Sequence, residues 1–331
     1  MRIVVIGCGS IGKRHIANLK RIGIRDIVAC DLDRERLVYV KRKFRVRDLY
    51  TDYKKALRDH PLTAAGFIST PGSSHIPIAT FLAQRGVHLF IEKPLSCDLA
   101  GVERLLALVK KKRLVTMMGM CYRFHPGLKV IKNLLEKEHL GRVYAARCCG
   151  GHYLPDWHPD EDYRKTPYAQ KAQGGGVVLT SIHGYDYIRW LFGDPKEVFG
   201  VTGRISDLRI DVEDIALAFC KTGRNILVSS HSDFLARERE HRIDVICERG
   251  TIRWDYNVNE VRIFMALEKR WKIVKFRFMP NDMYLDEICH FFRRVRQKRP
   301  DSAVDIREGL KTLIFALSVK SSARLKKIVM L

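Results

Sequence analysis

The sequence predicts an α/β protein of two domains, the first built on a parallel sheet and the second on a mostly antiparallel one. The first 120 residues alternate short apolar runs with helical patterns, which is typical of parallel strands joined by crossover helices. Residues 197–277 instead contain successive strand patterns without helices between them, which indicates antiparallel pairing. The chain of 331 residues also exceeds the size at which one hydrophobic core usually stops growing.

In the first domain, apolar runs bounded by polar turns predict five strands. A helix is predicted to follow Ser96, a good N-cap, because apolar residues recur at helical spacing from Leu99 to Val109. The basic run 110–113 ends that pattern. The predicted strands are Ile3–Ile6, Ile27–Asp31, Ala64–Ser69, Val87–Ile91 and Leu114–Met118.

The alternation of strand and helix patterns ends near Pro126-Gly127, a dipeptide typical of a junction between domains. We therefore predict one domain over 1–122 and a second over 123–331. Strands are predicted at Val143–Cys149, Ile215–Cys220 and Ile226–Ser230, and helices at 128–138, 282–297 and 305–327.

The charge balance is the unusual bulk property, since 60 Lys and Arg residues face 37 Asp and Glu residues for a net charge of +23. The basic runs 110–113 and 293–299 end helical patterns, where cations complement the helix dipole. A solvated helix end is therefore favoured over a nucleic-acid surface, and no nucleic-acid-binding motif accompanies the charge. An anionic substrate would account for the basic surface through electrostatic steering.

The nine cysteines are dispersed, with no CxxC pair. This usage predicts reduced thiols, a cytoplasmic location and no metal site. No apolar run approaches the roughly 18 residues that cross a bilayer, and no signal peptide pattern precedes the first strand, so neither a membrane partner nor secretion is predicted.

A glycine motif follows the first strand directly and opens a helix. The motif consists of Gly7, Gly9 and Gly12, with Ser10 and Ile11 between the last two. In a dinucleotide site, the three glycines allow a tight turn, a close approach of the backbone to the pyrophosphate, and close packing of the helix on the strand. Asp31, nineteen residues after Gly12, is placed to accept hydrogen bonds from the adenosine ribose. It would repel a 2′-phosphate, which favours NAD over NADP, although Arg34 and Arg36 nearby would soften that preference.

Three further segments carry chemistry-bearing residues. They are Ser69-Thr70-Pro71-Gly72-Ser73-Ser74-His75, Glu92-Lys93-Pro94, and Gly174-Gly175-Gly176 followed by His183 and Asp186. Together with the glycine motif, these segments resemble the glucose-fructose oxidoreductase / inositol dehydrogenase (Gfo/Idh/MocA) family. The resemblance implies a Rossmann domain followed by an α/β domain with a large open sheet, assembled as a homodimer or homotetramer. It also implies cofactor contacts from Ser69, Thr70, Pro71, His75, Glu92 and Lys93.

Lys93 and His183 are the candidate catalytic residues. An ammonium at the end of a strand can polarise a substrate hydroxyl, and a histidine can take its proton as hydride leaves the carbon. His183 is predicted to share a helix face with Thr180 and Tyr187. Many family members carry an aspartate shortly before this histidine, where the present chain has Thr180-Ser181-Ile182.

Other residues are predicted to bind the substrate. Aromatic and polar side chains of the loop 153–164 suit a polyhydroxylated ring, and this loop resembles a branch linked to surface-polysaccharide and sialic-acid-like sugar pathways. Alternatively, the loop only covers the domain seam, and Asp186 only pairs with Arg189. The predicted substrate-binding residues are Lys93, Arg123, Trp157, Tyr163, Thr180, His183 and Asp186.

These observations favour an NAD-dependent dehydrogenase that acts on a hydroxyl of a sugar, a nucleotide sugar or a cyclitol. The alternative is a non-catalytic dinucleotide-binding protein that regulates or binds a partner. The absent aspartate before His183 and the excess positive charge keep that alternative open.

Overall fold

A computed structural model describes residues 1–331, which form two compact units. The first comprises Met1–Cys121 and Asn281–Leu310, and the second comprises Tyr122–Pro280 and Lys311–Leu331. The chain thus passes to the second unit one residue before the predicted boundary. It differs from the prediction in returning to the first unit for residues 281–310.

Fifteen strands form the two sheets. Their bounds are β1 Arg2–Ile6, β2 Ile27–Cys30, β3 Asp48–Tyr50, β4 Thr63–Ile68, β5 His88–Ile91, β6 Thr116–Met118, β7 Val143–Gly151, β8 Pro195–Gly203, β9 Ile215–Thr222, β10 Leu227–Asp233, β11 Glu240–Cys247, β12 Gly250–Asp255, β13 Glu260–Met265, β14 Arg270–Lys275 and β15 Val329–Met330.

Ten α-helices accompany them, and none is both long enough and apolar enough to cross a bilayer. Their bounds are α1 Ser10–Arg21, α2 Arg34–Phe44, α3 Tyr53–Asp59, α4 His75–Gln84, α5 Val102–Lys111, α6 Pro126–Glu136, α7 Val177–Thr180, α8 His183–Phe192, α9 Asp282–Arg296 and α10 Ile306–Leu325.

The first unit contains six parallel strands in the order β3-β2-β1-β4-β5-β6, which confirms the predicted Rossmann sheet. Its core explains why residues 281–310 belong here. Phe67 of β4 stacks on Phe90 of β5 with ring centroids 4.6 Å apart, and Phe291 of α9 lies 5.8 Å and 5.7 Å from these two rings. Helix α9, from the C-terminal part of the chain, therefore completes the aromatic core of the first unit.

The second unit contains nine strands in the order β14-β13-β12-β11-β7-β10-β9-β8-β15. Only β7 and β10 pair in parallel, so the predicted mostly antiparallel sheet is confirmed. Along β9, Ala216, Ala218 and Cys220 are buried, whereas Phe219 is 56% exposed. Such alternation is expected when one face of a sheet is packed and the other is open.

The predicted helix start at Ser96 is wrong, because α5 begins at Val102 after Gly101. Asp98 N donates to Ser96 Oγ at 3.4 Å, and Ala100 N donates to Asp98 Oδ1 at 2.8 Å. These short side chains thus satisfy the local backbone in turns, which compete with a helical start.

Candidate active site

The glycine turn between β1 and α1 leaves no room for side chains. Gly7 has a φ of +92°, and a Cβ there would lie 2.5 Å from the carbonyl oxygen of Ser69. A Cβ on Gly12 would clash with the Gly7 carbonyl. No side chain caps α1 at Gly9, so the first N–H groups of the helix, including those of Ser10 and Ile11, are not taken by a cap. This arrangement suits a pyrophosphate at a helix N-terminus.

Asp31 lies directly after β2 and holds the glycine turn. Its carboxylate accepts hydrogen bonds from Cys8 N at 2.6 Å and from Asp33 N at 2.9 Å. Arg36 of α2 is half exposed, and its Nη1 lies 3.8 Å from Asp31 Oδ2. Asp31 therefore has a carboxylate fixed beside the turn, with a cation next to it.

The segment after β4 lies against the glycine turn. Ser69 N donates to Ile6 O at 2.7 Å, while Ser69 Oγ is buried with no hydrogen-bond partner. An orphaned hydroxyl beside the glycine cradle fits a site that a polar ligand completes. Thr70 Oγ1 accepts from Ser74 Oγ at 2.7 Å, and Pro71 precedes the turn that leads into α4.

His75 is buried and joins two backbone segments. Its Nε2 lies 2.8 Å from Thr70 O and its Nδ1 lies 2.7 Å from Pro94 O. His75 therefore bridges the segment after β4 and the segment after β5, and its predicted cofactor contact stays a prediction.

Lys93 follows β5, and its backbone N lies 3.3 Å from Glu92 Oε2. Burial lowers the pKa of Lys93 below the usual value, while the charge of Glu92 acts in the opposite direction. Glu92 itself is 6% exposed and its Oε1 lies 2.7 Å from His15 Nε2. The Glu92 carboxylate thus contacts His15 of α1, and its predicted contact with the cofactor stays a prediction.

In the second unit, His183 is the first residue of α8 and its ring centroid lies 5.0 Å from that of Tyr122. Thr180 is the last residue of the separate helix α7. The predicted continuous helix face is therefore wrong for Thr180, because the chain breaks its helix at Ser181-Ile182. Tyr187 is on α8 with His183, as predicted.

Arg123 and Asp186 are buried and satisfy each other. Arg123 Nε donates to Asp186 Oδ2 at 2.8 Å, and Arg123 Nη2 donates to Asp186 Oδ1 at 2.7 Å. Thr312 Oγ1 donates to the same carboxylate at 3.2 Å. The predicted Asp186–Arg189 pair is wrong, since Arg189 instead binds Asp194 at 2.7 Å. The Arg123–Asp186 ion pair engages Nε and Nη2 of Arg123 and both carboxylate oxygens of Asp186, and the predicted substrate contacts of these two residues stay predictions.

The aromatic residues of the loop after β7 are anchored to the second unit. Trp157 Nε1 donates to His152 O at 3.0 Å, and its ring packs on Tyr168 and Phe234. Tyr163 Oη accepts from Arg209 N at 3.3 Å. Both side chains thus have structural partners elsewhere in the second unit.

Sequence reasoning missed three residues next to the predicted ones: His15, Glu287 and Tyr122. Glu287 is fully buried on α9, four residues from both Met283 and Phe291. An acidic residue within an apolar helical stripe is a signal from which sequence analysis could have found Glu287. His15 gives a similar signal, because it lies four residues before the buried Leu19 on α1. The sequence around Tyr122 contains no comparable signal.

Comparisons with known proteins identify the family of both parts of the chain. Residues 1–120 match the model of the oxidoreductase family with an NAD-binding Rossmann fold, and residues 128–253 match the GFO/IDH/MocA C-terminal domain. A myo-inositol 2-dehydrogenase from Thermotoga maritima is 28% identical over 100% of this chain and 98% of its own. An uncharacterized oxidoreductase, YrbE, from Bacillus subtilis is 30% identical over 76% of this chain and 72% of its own.

A solved levoglucosan dehydrogenase in complex with NADH has the same fold. Its TM-score is 0.90 at 19% identity, with 100% of this chain and 98% of that chain covered. The family matches span both sheets, and the glycine cradle, the uncapped α1 and the orphaned Ser69 hydroxyl fit the dinucleotide that they imply. The chain belongs to the Gfo/Idh/MocA family of oxidoreductases with an NAD-binding Rossmann fold.

Proposed function

We propose that this protein oxidises or reduces a hydroxyl-bearing carbon of a sugar or cyclitol with a nicotinamide dinucleotide as hydride carrier. One observation carries the proposal. The adjacent parallel strands β1, β4 and β5 end at the glycine turn, at Ser69-Thr70-Pro71 and at Lys93. Because parallel strands end at the same edge of a sheet, the phosphate cradle and the candidate catalytic lysine share that edge.

Lys93 is proposed to hydrogen-bond the substrate oxygen. As an ammonium it stabilises the negative charge that develops on this oxygen during oxidation. When bound, the nicotinamide would supply the hydride acceptor, or the donor in the reverse direction. In this proposal Lys93 therefore binds the substrate oxygen and takes no part in hydride transfer.

His183 is proposed as the residue that takes the hydroxyl proton during oxidation and returns it during reduction. Its place in the first turn of α8 and its half-buried ring support this role. The chain has no aspartate within the three residues before it, and Asp186 is committed to Arg123. A single histidine, rather than an Asp–His pair, is thus proposed to move this proton.

The substrate class rests on the relatives, one of which is named for myo-inositol and one for levoglucosan. The narrower resemblance to enzymes of surface-polysaccharide and sialic-acid-like sugars depends on the loop 153–164 and stays a prediction. Trp157 and Tyr163 enter the proposal through this loop. Their anchoring would give a substrate ring a rigid surface, which limits the entropic cost of binding.

NAD is proposed over NADP because the fixed carboxylate of Asp31 retains lone pairs for ribose hydroxyls and repels a 2′-phosphate. Arg36 lies beside this carboxylate and beside Gly9, which moderates the preference.

A second copy of the chain is proposed to cover the open sheet. Four apolar side chains on β8, β9 and β10 are exposed to solvent: Phe199 by 37%, Val201 by 50%, Phe219 by 56% and Leu227 by 59%. A homodimer or homotetramer would remove this apolar surface from water. All nine cysteines are free thiols, which supports the proposed cytoplasmic location.

Calorimetric titration with NAD and NADP, followed by a panel of cyclitols, sugars and nucleotide sugars monitored through NADH absorbance, tests the function. We expect tighter binding of NAD and turnover of at least one polyhydroxylated substrate. Dinucleotide binding without turnover across the panel would instead favour the non-catalytic alternative, and tighter NADP binding would contradict the role of Asp31.

A further inference from the structure

Tyr122, in the short helical turn 121–124, packs against the candidate base His183 inside the second unit. Tyr122 is 6% exposed, and its ring centroid lies 5.0 Å from that of His183, with the two planes tilted by 52°. The proposed reaction assigns no role to this tyrosine. Its contacts with the rest of the unit indicate one.

His183 is the first residue of α8, so its side chain has no earlier turn of the same helix beneath it. Helical side chains point back towards the N-terminus and lie over the preceding turn. Here α7 ends at Thr180, and the chain leaves the helical path at Ser181 before α8 begins. The support that a residue in the middle of a helix receives from its own preceding turn must therefore come from another element.

Tyr122 and its neighbour Arg123 both reach the face of α8 that carries His183. Arg123 donates two hydrogen bonds to Asp186, three residues after His183. The Tyr122 ring also lies 6.5 Å from that of Tyr187, four residues after His183. Because residues three and four apart share a helix face, the short turn that carries Tyr122 packs on the face of α8 that presents the candidate base.

The Tyr122 ring is itself fixed by a second ring and by a hydrogen bond. His241 of β11 stacks on it, with centroids 4.6 Å apart and planes 16° from parallel. Arg239 Nη2 donates to Tyr122 Oη at 3.3 Å, and the same guanidinium lies 4.3 Å from the centroid of the Tyr256 ring. Stacking and cation–π contacts of this kind favour particular geometries. They therefore define the surface that Tyr122 offers to His183.

We propose that Tyr122 is a positioning residue whose ring fixes the orientation of the His183 imidazole. The two ring nitrogens of a histidine are chemically distinct, and rotation of the ring changes which of them faces a substrate hydroxyl. A base must also keep one nitrogen within hydrogen-bond reach of the proton that it takes. The inference rests on the proposed function of His183, and it assigns the orientation of this base to the Tyr122 ring rather than to the Tyr122 hydroxyl.

The orientation of His183 is measured without turnover. The full-length protein is labelled with histidine that carries carbon-13 at Cε1, and the His183 signal is assigned from its loss in His183→Gln. We expect Tyr122→Leu to shift this signal, because the ring current of Tyr122 is lost, and to raise the mobility of the imidazole in relaxation measurements. Tyr122→Phe keeps the ring and should restore the wild-type signal.

Tyr185→Leu is the matched control, because it removes a buried tyrosine ring from the same helix. Tyr185 is 2% exposed and packs on Phe315, with centroids 5.0 Å apart. If only the general packing of α8 mattered, both leucine variants would change the His183 signal and mobility alike. We expect Tyr185→Leu to leave both unchanged.

Turnover gives a second readout. A misplaced base slows the chemical step, so we expect Tyr122→Leu to lower kcat by about 10- to 100-fold, while KM and the dissociation constant for NAD change little. In a chain that already carries His183→Ala, Tyr122→Leu should lower kcat no further. A general folding defect would instead add to the effect of His183→Ala.

Two results would overturn the inference: an unchanged His183 signal and mobility in Tyr122→Leu, or a loss of kcat in Tyr122→Phe equal to that in Tyr122→Leu. A mobile His183 in Tyr122→Leu, together with unimpaired turnover of His183→Ala, would preserve the inference about Tyr122 while overturning the proposed catalytic role of His183.

Discussion

Arg123 and Asp186 form a two-pronged ion pair inside the second unit, with N···O distances of 2.8 Å and 2.7 Å and side-chain exposures of 7% and 1%. The pair joins the short helical turn 121–124 to α8, which begins at His183. Because Asp186 is three residues after His183, this ion pair also fixes the helical turn that presents the candidate base.

Loss of one partner of this pair should be costly. Arg123→Met leaves Asp186 with an uncompensated buried charge, and we expect a loss of about 3–5 kcal/mol in the free energy of unfolding, measured by urea titration. Arg123→Met/Asp186→Leu should recover part of that loss. The exposed pair Arg262–Glu260 is the control, where Arg262→Ala should cost less than about 1 kcal/mol. Equal small effects at both sites would contradict the structural role of Arg123.

Replacement of the candidate catalytic residues should affect turnover and not cofactor affinity. We expect Lys93→Ala and His183→Ala each to lower kcat by about 100- to 10,000-fold, the usual contribution of a positioned acid or base. The dissociation constant for NAD, measured by calorimetry, should change little. The exposed Lys55→Ala and His139→Ala are the matched controls. Turnover near that of wild type in both active-site variants would remove the proposed roles.

Asp31→Asn should weaken NAD more than NADP. The substitution removes a charged acceptor that would bind the ribose and that now holds Cys8 N, so we expect about a 10- to 100-fold loss of NAD affinity. Arg36→Ala should act in the opposite direction and lower the affinity for NADP. Titration of each variant with both cofactors checks this pair, and an unchanged preference in Asp31→Asn would show that the carboxylate does not select the cofactor.

The elements of the fold were largely predictable because each has a local pattern. Apolar runs located five strands of the first sheet, and only β3, three half-buried residues from Asp48 to Tyr50, gave too weak a signal. The return of α9 to the first unit was not predictable, since it depends on Phe291 meeting Phe67 across more than two hundred residues. Apolar packing of this kind has no sequence motif.

The site was less predictable than the fold, for a physical reason. Motifs identified which residues carry chemistry but not what each side chain contacts. The sequence predicts a substrate contact for Arg123 and a cofactor contact for Glu92, but it does not predict their buried partners Asp186 and His15, which lie far along the chain. Hydrogen-bond partners at this separation are set by tertiary structure alone.

Two histidines of the second unit, His125 and His241, should make it sensitive to acid. Burial lowers the pKa of His125 to about 4 and that of His241 to about 3, from 6.5. The folded state therefore excludes protons that the unfolded chain binds, so stability is complete above pH 6.5 and is lost as the pH falls towards 4 and 3.

The variant His241→Phe tests this. It keeps the ring packing on Tyr122 and Trp254 while removing the titration, so we expect it to lose about 2 kcal/mol less stability than wild type between pH 6.5 and about 4.5. Urea titrations at both pH values measure the difference. The exposed His139→Phe should behave as wild type, and an equal acid loss in His241→Phe would contradict the assignment.

The net charge of +23 makes a prediction about the substrate. When NAD is saturating, its own binding no longer contributes to kcat/KM, so the salt dependence of kcat/KM reports the binding of the second substrate. If the substrate is anionic, kcat/KM for a nucleotide sugar should fall steeply between about 0.01 M and 1 M ionic strength, as the screening length shrinks from about 30 Å to about 3 Å. Turnover of uncharged myo-inositol under the same conditions is the control and should change little. A salt-independent kcat/KM for the nucleotide sugar would show that the positive charge does not steer the substrate.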